Sequence, residues 1–242
     1  MAVVDQAREP TLGIIGGAGV AAAARLYAEV CERVRGATGA LPRIALWNLP
    51  LSDAIEHAFT AAEPDPEMQA LVGRLLAEAF DRLTHAGATV VAMPCNGLHR
   101  AAAGEAERRG VPFIDMIDAT IAAAHASGAS AAVLIATDAT RAGGVYEDRG
   151  IEIIAPPDVL HDETAALIAA AIQGPPPGGA RMERLVERAA RPGACVVVGC
   201  TDICGLIGAE RAAELHVIES LGCLADRCAE VLGARATAAG AA

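Results

Sequence analysis

Thr89-Val90-Val91-Ala92-Met93-Pro94-Cys95-Asn96 is an apolar run of strand length that stops on a proline and a cysteine, and Cys195-Val196-Val197-Val198-Gly199-Cys200-Thr201 repeats the plan in the second half of the chain. Each run carries too many consecutive apolar residues for a half-exposed strand and reads as a strand buried on both faces, the signature of a parallel sheet under helices. Each ends on a cysteine followed by a small polar residue. Two such units predict a duplicated α/β architecture with a cleft between the copies. In open α/β sheets ligands sit beyond the carboxyl ends of the strands, where both cysteines fall.

Outward from these two stretches, strand-like and helix-like segments alternate. In the first half, strands are expected at Leu12–Ile15, Ile44–Trp47, Thr89–Met93 and Val111–Ile114. Helices are expected at about 20–35, 66–85, 96–109 and 116–126, two of them closed by Gly87 and Gly110. In the second half, strands are expected at Ala131–Ala136, Ile151–Ile154, Cys195–Val198 and His216–Ile218, with helices at 163–172, 181–190 and 221–232 and a frayed tail after Gly233. The fold class is therefore α/β: two similar lobes with mainly parallel sheets. Residues 1–118, completed by 216–242, form the first lobe, and residues 119–215 the second. Pro175–Pro177 reads as an inter-helix loop, with a polyproline ligand as the less favoured alternative.

Composition narrows the function. The net charge of −11 disfavours nucleic acid, whose phosphates require a positive surface. The six aromatics (Tyr27, Trp47, Phe59, Phe80, Phe113 and Tyr146) are scattered and build no stacking platform. The apolar run Leu12–Ala24 is glycine-rich and follows Asp5 and Glu9, so it does not read as a signal peptide, and no stretch reaches membrane-spanning length. A cytoplasmic protein is expected, with no nucleic acid and no membrane as partner. Seven cysteines without regular spacing argue for a reducing compartment, where thiols are available for chemistry.

Two thiols facing one cleft suit a particular reaction. Inverting a carbon centre without a cofactor needs a base on one face and an acid on the other, and cysteine serves as either. Cys95 and Cys200 are placed where helices should begin, so the backbone amides and the helix dipole are expected to favour a thiolate. The same amides, with the Asn96 and Thr201 side chains, could hold a substrate carboxylate. Cys31, Cys195, Cys223 and Cys228 read as core residues. Cys200 and Cys204 resemble half a metal site, but no pair at zinc-like spacing completes it. His99, four residues after Cys95, would share its helix face; it could support the thiolate, or act only as a capping or supporting residue. Tyr146 could line the cleft or pack beside it.

Three segments carry a family resemblance: Leu12-Gly13-Ile14-Ile15-Gly16-Gly17-Ala18-Gly19, Met93-Pro94-Cys95-Asn96-Gly97-Leu98-His99 and Val198-Gly199-Cys200-Thr201-Asp202-Ile203. In that order and spacing they resemble the aspartate/glutamate racemase family, and its aspartate racemase branch in particular. Weaker similarity at Ile135-Ala136-Thr137 and Gly144-Val145-Tyr146 fills the space between. The resemblance implies a homodimer with no metal and no pyridoxal phosphate, acting on a small amino-acid substrate. It implies that Cys95 and Cys200 flank the α-carbon. It also places Asn96, Thr137 and Thr201 at the α-carboxylate or amino group, and Gly17, Ala18, Asn48 and Gly97 among the substrate-binding positions.

The sequence departs from that pattern where the substrate side chain would be held. The first loop reads Gly17-Ala18-Gly19-Val20, where the family usually has Gly-Met-Gly-Pro, and Gly97 stands where a threonine is usual. Aspartate racemases resemble one another in an arginine after the second strand and a lysine after a Tyr-Glu pair; those positions here hold Ala54 and Asp148, with Arg149 one residue beyond. Burying a second carboxylate without those cations costs several kcal/mol. The expected substrate is therefore not aspartate, and a neutral or cationic side chain near Asp148 or Asp53 fits better. The alternatives are a related decarboxylase or cis–trans isomerase, and a binding protein that has lost turnover. A dinucleotide enzyme is a further one, since Gly17-Ala18-Gly19-Val20-Ala21-Ala22 fits G-x-G-x-x-A but lacks the acidic residue at the end of the second strand.

Overall fold

The computed structural model describes residues 10–52, 55, 65–174 and 178–239, with side chains as far as Gly233. Asp53, Ala54, His57, Phe59 and Pro175–Pro177 lie outside the described residues.

In the first lobe β1 (Thr11–Gly16), α1 (Val20–Thr38), β2 (Arg43–Asn48), α2 (Pro66–His85), β3 (Val90–Ala92), α3 (His99–Arg109) and α4 (Met116–Ala126) follow in order. The second lobe continues with β4 (Ala131–Ile135), α5 (Asp138–Ala142), β5 (Glu152–Ile154), α6 (His161–Gln173), α7 (Gly179–Ala189), β6 (Ala194–Val198), α8 (Ala209–Glu214) and β7 (Val217–Glu219), and α9 (Ser220–Ala239) ends the chain.

The helices form where apolar spacing and caps agree. The buried face of α1 is Ala22, Ala23, Leu26, Val30 and Val34, a stripe at helical spacing, and Gly39 stops the helix in the left-handed conformation. Asp65 caps α2 by accepting the Glu67 amide at 2.9 Å, with Pro66 in the first turn. Asp115 caps α4 in the same way.

The sheets bear out the duplication. All strand pairs are parallel, in the order β2-β1-β3 in one sheet and β5-β4-β6-β7 in the other. In each lobe the first strand lies between the second and the third. Cys95 therefore follows the third strand of one lobe and Cys200 the third strand of the other. Strand β7, which the sequence reading gave to the first lobe, pairs with β6 in the second sheet. Helix α9 does return to the first lobe, packing along α1 and α4.

Three local expectations are corrected, and two short helices are added. Residues 111–114 form no strand: Val91 and Phe113 make one isolated bridge, since Pro112 has no amide to extend a ladder. The helix expected from Asn96 begins at His99, after a turn over 96–98. The short helices α5 and α8 are too brief to show a periodic pattern. The last helix runs past Gly233 to Ala239 instead of fraying there.

Candidate active site

The carboxyl ends of β3 and β6 face one cleft. Cys95, Asn96 and Gly97 line it from the first lobe, and Gly199, Cys200, Thr201 and Asp202 from the second. Ala18 and Gly19 reach it from the β1–α1 loop, and Thr137 from the end of β4.

Of the sequence-predicted binding residues, Gly17 and Asn48 do not line the cleft. Gly17 has φ 99°, and a Cβ there would stand 2.3 Å from the Leu49 carbonyl oxygen, so its role is to let two loops touch. Asn48 is exposed at the end of β2 and packs over Gly16. Sequence reasoning missed Leu51, Thr140, Ile172 and Asp202. Asp202 had a signal, because it stands two residues after the second cysteine; the other three are drawn in only by the fold.

The two lobes are bolted together beside the thiols. Tyr146 is fully buried and its hydroxyl donates to Asn96 Oδ1 at 2.6 Å, while Asn96 Nδ2 donates to Ser220 Oγ at 3.1 Å. Burial pushes the Tyr146 hydroxyl far above its ordinary range, which keeps it a donor. From the other side, the Thr201 hydroxyl donates to the Pro94 carbonyl at 2.9 Å. These bonds correct the expected roles: the Thr201 hydroxyl has spent its proton and can only accept, and Asn96 retains one N–H. The backbone amide of Gly97 makes no hydrogen bond among the described residues. Thr137 caps α5 by accepting the Thr140 amide at 3.2 Å.

The thiols differ in environment. Cys95 is half-buried, and a turn separates it from α3, so it does not sit at a helix N-terminus. Cys200 is buried at the cap of a short 3-10 turn, Thr201–Ile203. Burial pushes its pKa well above that of an ordinary thiol, the Asp202 carboxylate adds to the rise, and the Asp202 amide only partly offsets both. Its Sγ lies 3.9 Å from Asp202 Oδ2. A local amide therefore acts in favour of a thiolate at Cys200 as expected, but burial and the Asp202 carboxylate outweigh it and favour the thiol. Gly19 has φ 82°, and a Cβ there would lie 2.6 Å from Asp202 Oδ1, so the glycine loop makes room for that carboxylate.

The remaining candidates fall elsewhere. His99 is buried with Nε2 3.0 Å from Asp115 Oδ1, a close contact without good hydrogen-bond geometry, and its ring packs on Phe113; it does not reach the cleft. Asp148 is exposed and Arg149 engages Asp115 and Asp118, so neither supplies a charge to the cleft. Among the described lining residues there is no lysine or arginine, and Asp202 is the one charged side chain. No group of three or more histidine, cysteine or carboxylate side chains among the described residues is arranged to hold a metal, and no helix among them is long and apolar enough to cross a membrane.

A family model described as Asp/Glu/Hydantoin racemase matches residues 15–228. Among solved structures, a candidate Asp/Glu racemase from Yersinia pestis is 23% identical, with a TM-score of 0.75 over 92% of this chain and 99% of that one. An aspartate racemase homologue from Pyrococcus horikoshii OT3 is 21% identical, with a TM-score of 0.74 over 92% and 98%. An arylmalonate decarboxylase variant in liganded form is 20% identical, with a TM-score of 0.59 over 93% of each chain. At these identities the structural likeness establishes the two-lobed fold alone.

Proposed function

The chain belongs to the Asp/Glu/Hydantoin racemase family, and on that premise we propose that it is a cofactor-independent amino-acid racemase in which Cys95 and Cys200 exchange the α-proton. The observation that carries this reading is that the two thiols line one cleft from opposite lobes, each at the end of the third strand of its sheet. An amino acid between them would present its α-carbon to one sulfur on each face. Cys200, held as a thiol by burial and by Asp202, is the proton donor of the resting site, and a Cys95 thiolate is the base. For the opposite enantiomer the roles reverse after one turnover.

The polar groups suit an amino acid. The Asp202 carboxylate attracts the α-ammonium, and the Thr201 oxygen accepts a hydrogen bond from it. The Gly97 amide and the remaining Asn96 N–H face the α-carboxylate. A substrate other than aspartate fits better: the described lining of the cleft between the thiols offers no cation to a second carboxylate, and Arg149, one residue beyond the family's lysine position, is engaged with Asp115 and Asp118. The expectation of a charge partner at Asp148 falls with its exposed position, and Ala54 and Asp53 lie outside the described residues.

Chiral chromatography of single-enantiomer amino acids incubated with the protein tests this reading. Conversion of a neutral amino acid faster than aspartate is expected; clear preference for aspartate would refute the substrate part. The second reading is a decarboxylase, favoured by the likeness to arylmalonate decarboxylase and by a donor thiol at Cys200. It predicts loss of CO2 from malonate-type acids and no requirement for Cys95.

A further inference from the structure

Beyond Thr137 and Ile172, which line both, the cleft adjoins a second cavity between α5 and α6. Its polar lining is Thr137, Asp138, Arg141, His161 and Thr164, against apolar residues of α6. Neither thiol lines it, and the proton-transfer reading uses none of the Asp138, Arg141, His161 and Thr164 side chains.

The charges here are arranged in a closed triangle. Arg141 Nη2 pairs with Asp138 Oδ1 and also lies 2.6 Å from His161 Nδ1. A guanidinium can only donate, so Nδ1 accepts and the imidazole is the neutral tautomer with its proton on Nε2. That nitrogen lies 3.5 Å from Asp138 Oδ2. The triangle is thus net neutral. It still holds unspent donors, because Arg141 Nε and Nη1 make no hydrogen bond among the described residues. A further donor stands across the cavity: Thr164 is 2% exposed, and its Oγ1 is buried with no hydrogen-bond partner among the described residues. A buried hydroxyl without a partner is destabilising and calls for an explanation, and a polar group bound from outside supplies one.

We propose that this cavity is the side-chain subsite of the same active site and takes a neutral, carbonyl-bearing side chain, a carboxamide being the simplest. The carbonyl oxygen accepts from Thr164 and Arg141. A carboxylate in the same place would add a charge that the triangle does not balance, since Asp138 already neutralises Arg141. A purely apolar side chain would leave Thr164 and the guanidinium edge unsatisfied. The proposal rests on the racemase reading only in taking the ligand to be an amino acid.

Isothermal titration of the intact protein with L-glutamine, L-glutamate and L-alanine tests it, using wild type, Thr164→Val and Arg141→Met. Glutamine is expected to bind at least tenfold more tightly than glutamate and than alanine, and each substitution to reduce the glutamine-to-alanine ratio at least tenfold. Thr164→Val keeps the shape of the residue, so a folding defect in Arg141→Met does not remove the test. Equal binding of the three ligands by wild type, no binding of any, or a glutamine preference unchanged in Thr164→Val would each overturn the subsite. Solvent deuterium uptake at the α-carbon of glutamine, glutamate and alanine, measured separately, reports on the thiols. Uptake without a glutamine preference sinks the subsite alone, and a glutamine preference without uptake of deuterium into any of the three sinks the racemase reading alone.

Discussion

The loops after β3 and β6 occupy equivalent positions in the two lobes, yet they differ in the residue two places after the cysteine. The first loop has Gly97 there and the second has Asp202. Around Cys95 the chain makes a turn, the thiol is half-buried, and Asn96 is held by Tyr146 and Ser220. Around Cys200 the thiol is buried and faces a carboxylate, and Thr201 reaches back to Pro94. A duplicated fold has thus become an asymmetric pair. On the proposed reading, the buried side with the acid is the proton donor and the half-buried side with the glycine is the base. Each loop is fixed by a residue of the other half, so the spacing between the thiols is set by buried hydrogen bonds and not by either lobe alone.

The largest effect is expected at the sulfurs. Cys95→Ser and Cys200→Ser should each lower the racemisation rate by about 10²–10⁴-fold, since each removes one half of the acid–base pair; a decarboxylase would be insensitive at Cys95. The bolts come next. Asn96→Ala strands the buried Tyr146 hydroxyl and should cost about 2 kcal/mol or more in a urea unfolding titration. Thr201→Val removes a single hydrogen bond to Pro94 and should cost about 1 kcal/mol in the same titration.

Asp202→Asn sharpens the asymmetry itself. Removing the carboxylate lowers the Cys200 pKa, so its alkylation by iodoacetamide at mildly alkaline pH, followed by peptide mass spectrometry, should run several-fold faster than in wild type. The smallest effect is expected under the first loop. Burial alone would raise the pKa of Asp115, but the His99 contact, the Asp118 amide and Arg149 outweigh it and hold the carboxyl below its ordinary range. A depressed folded pKa contributes stability above the unfolded value of about 4, and that contribution is lost as pH falls through the folded value. Asp115→Asn keeps a capping side chain, so at neutral pH it should cost only ~0.5–1 kcal/mol. Its stability should also fall less steeply than that of wild type below about pH 4.

The strands and long helices were legible because burial on both faces and helical spacing are written in consecutive residues; 66–85 and 116–126 match their helices end to end. The two thiols were legible because each closes such a strand. The helix starting at Asn96 was not, since Asn96 is recruited by Tyr146 and Ser220, residues far along the chain, and the segment turns before it can coil. The thiolate expected at Cys200 failed for a similar reason. Sequence shows a small polar neighbour, but the depth of burial and the direction of the Asp202 carboxylate exist only in the fold. Thr140 and Ile172 line the cleft through packing that no local pattern encodes.

The central claim is that two thiols on opposite faces move one proton. The most direct measurement is racemisation of a neutral L-amino acid in D2O, with α-deuterium followed by mass spectrometry in wild type, Cys95→Ser and Cys200→Ser. In wild type the product enantiomer is expected to carry deuterium from its first appearance, and both variants are expected to lose product formation. Product free of solvent deuterium, or turnover that survives in both variants, would contradict it.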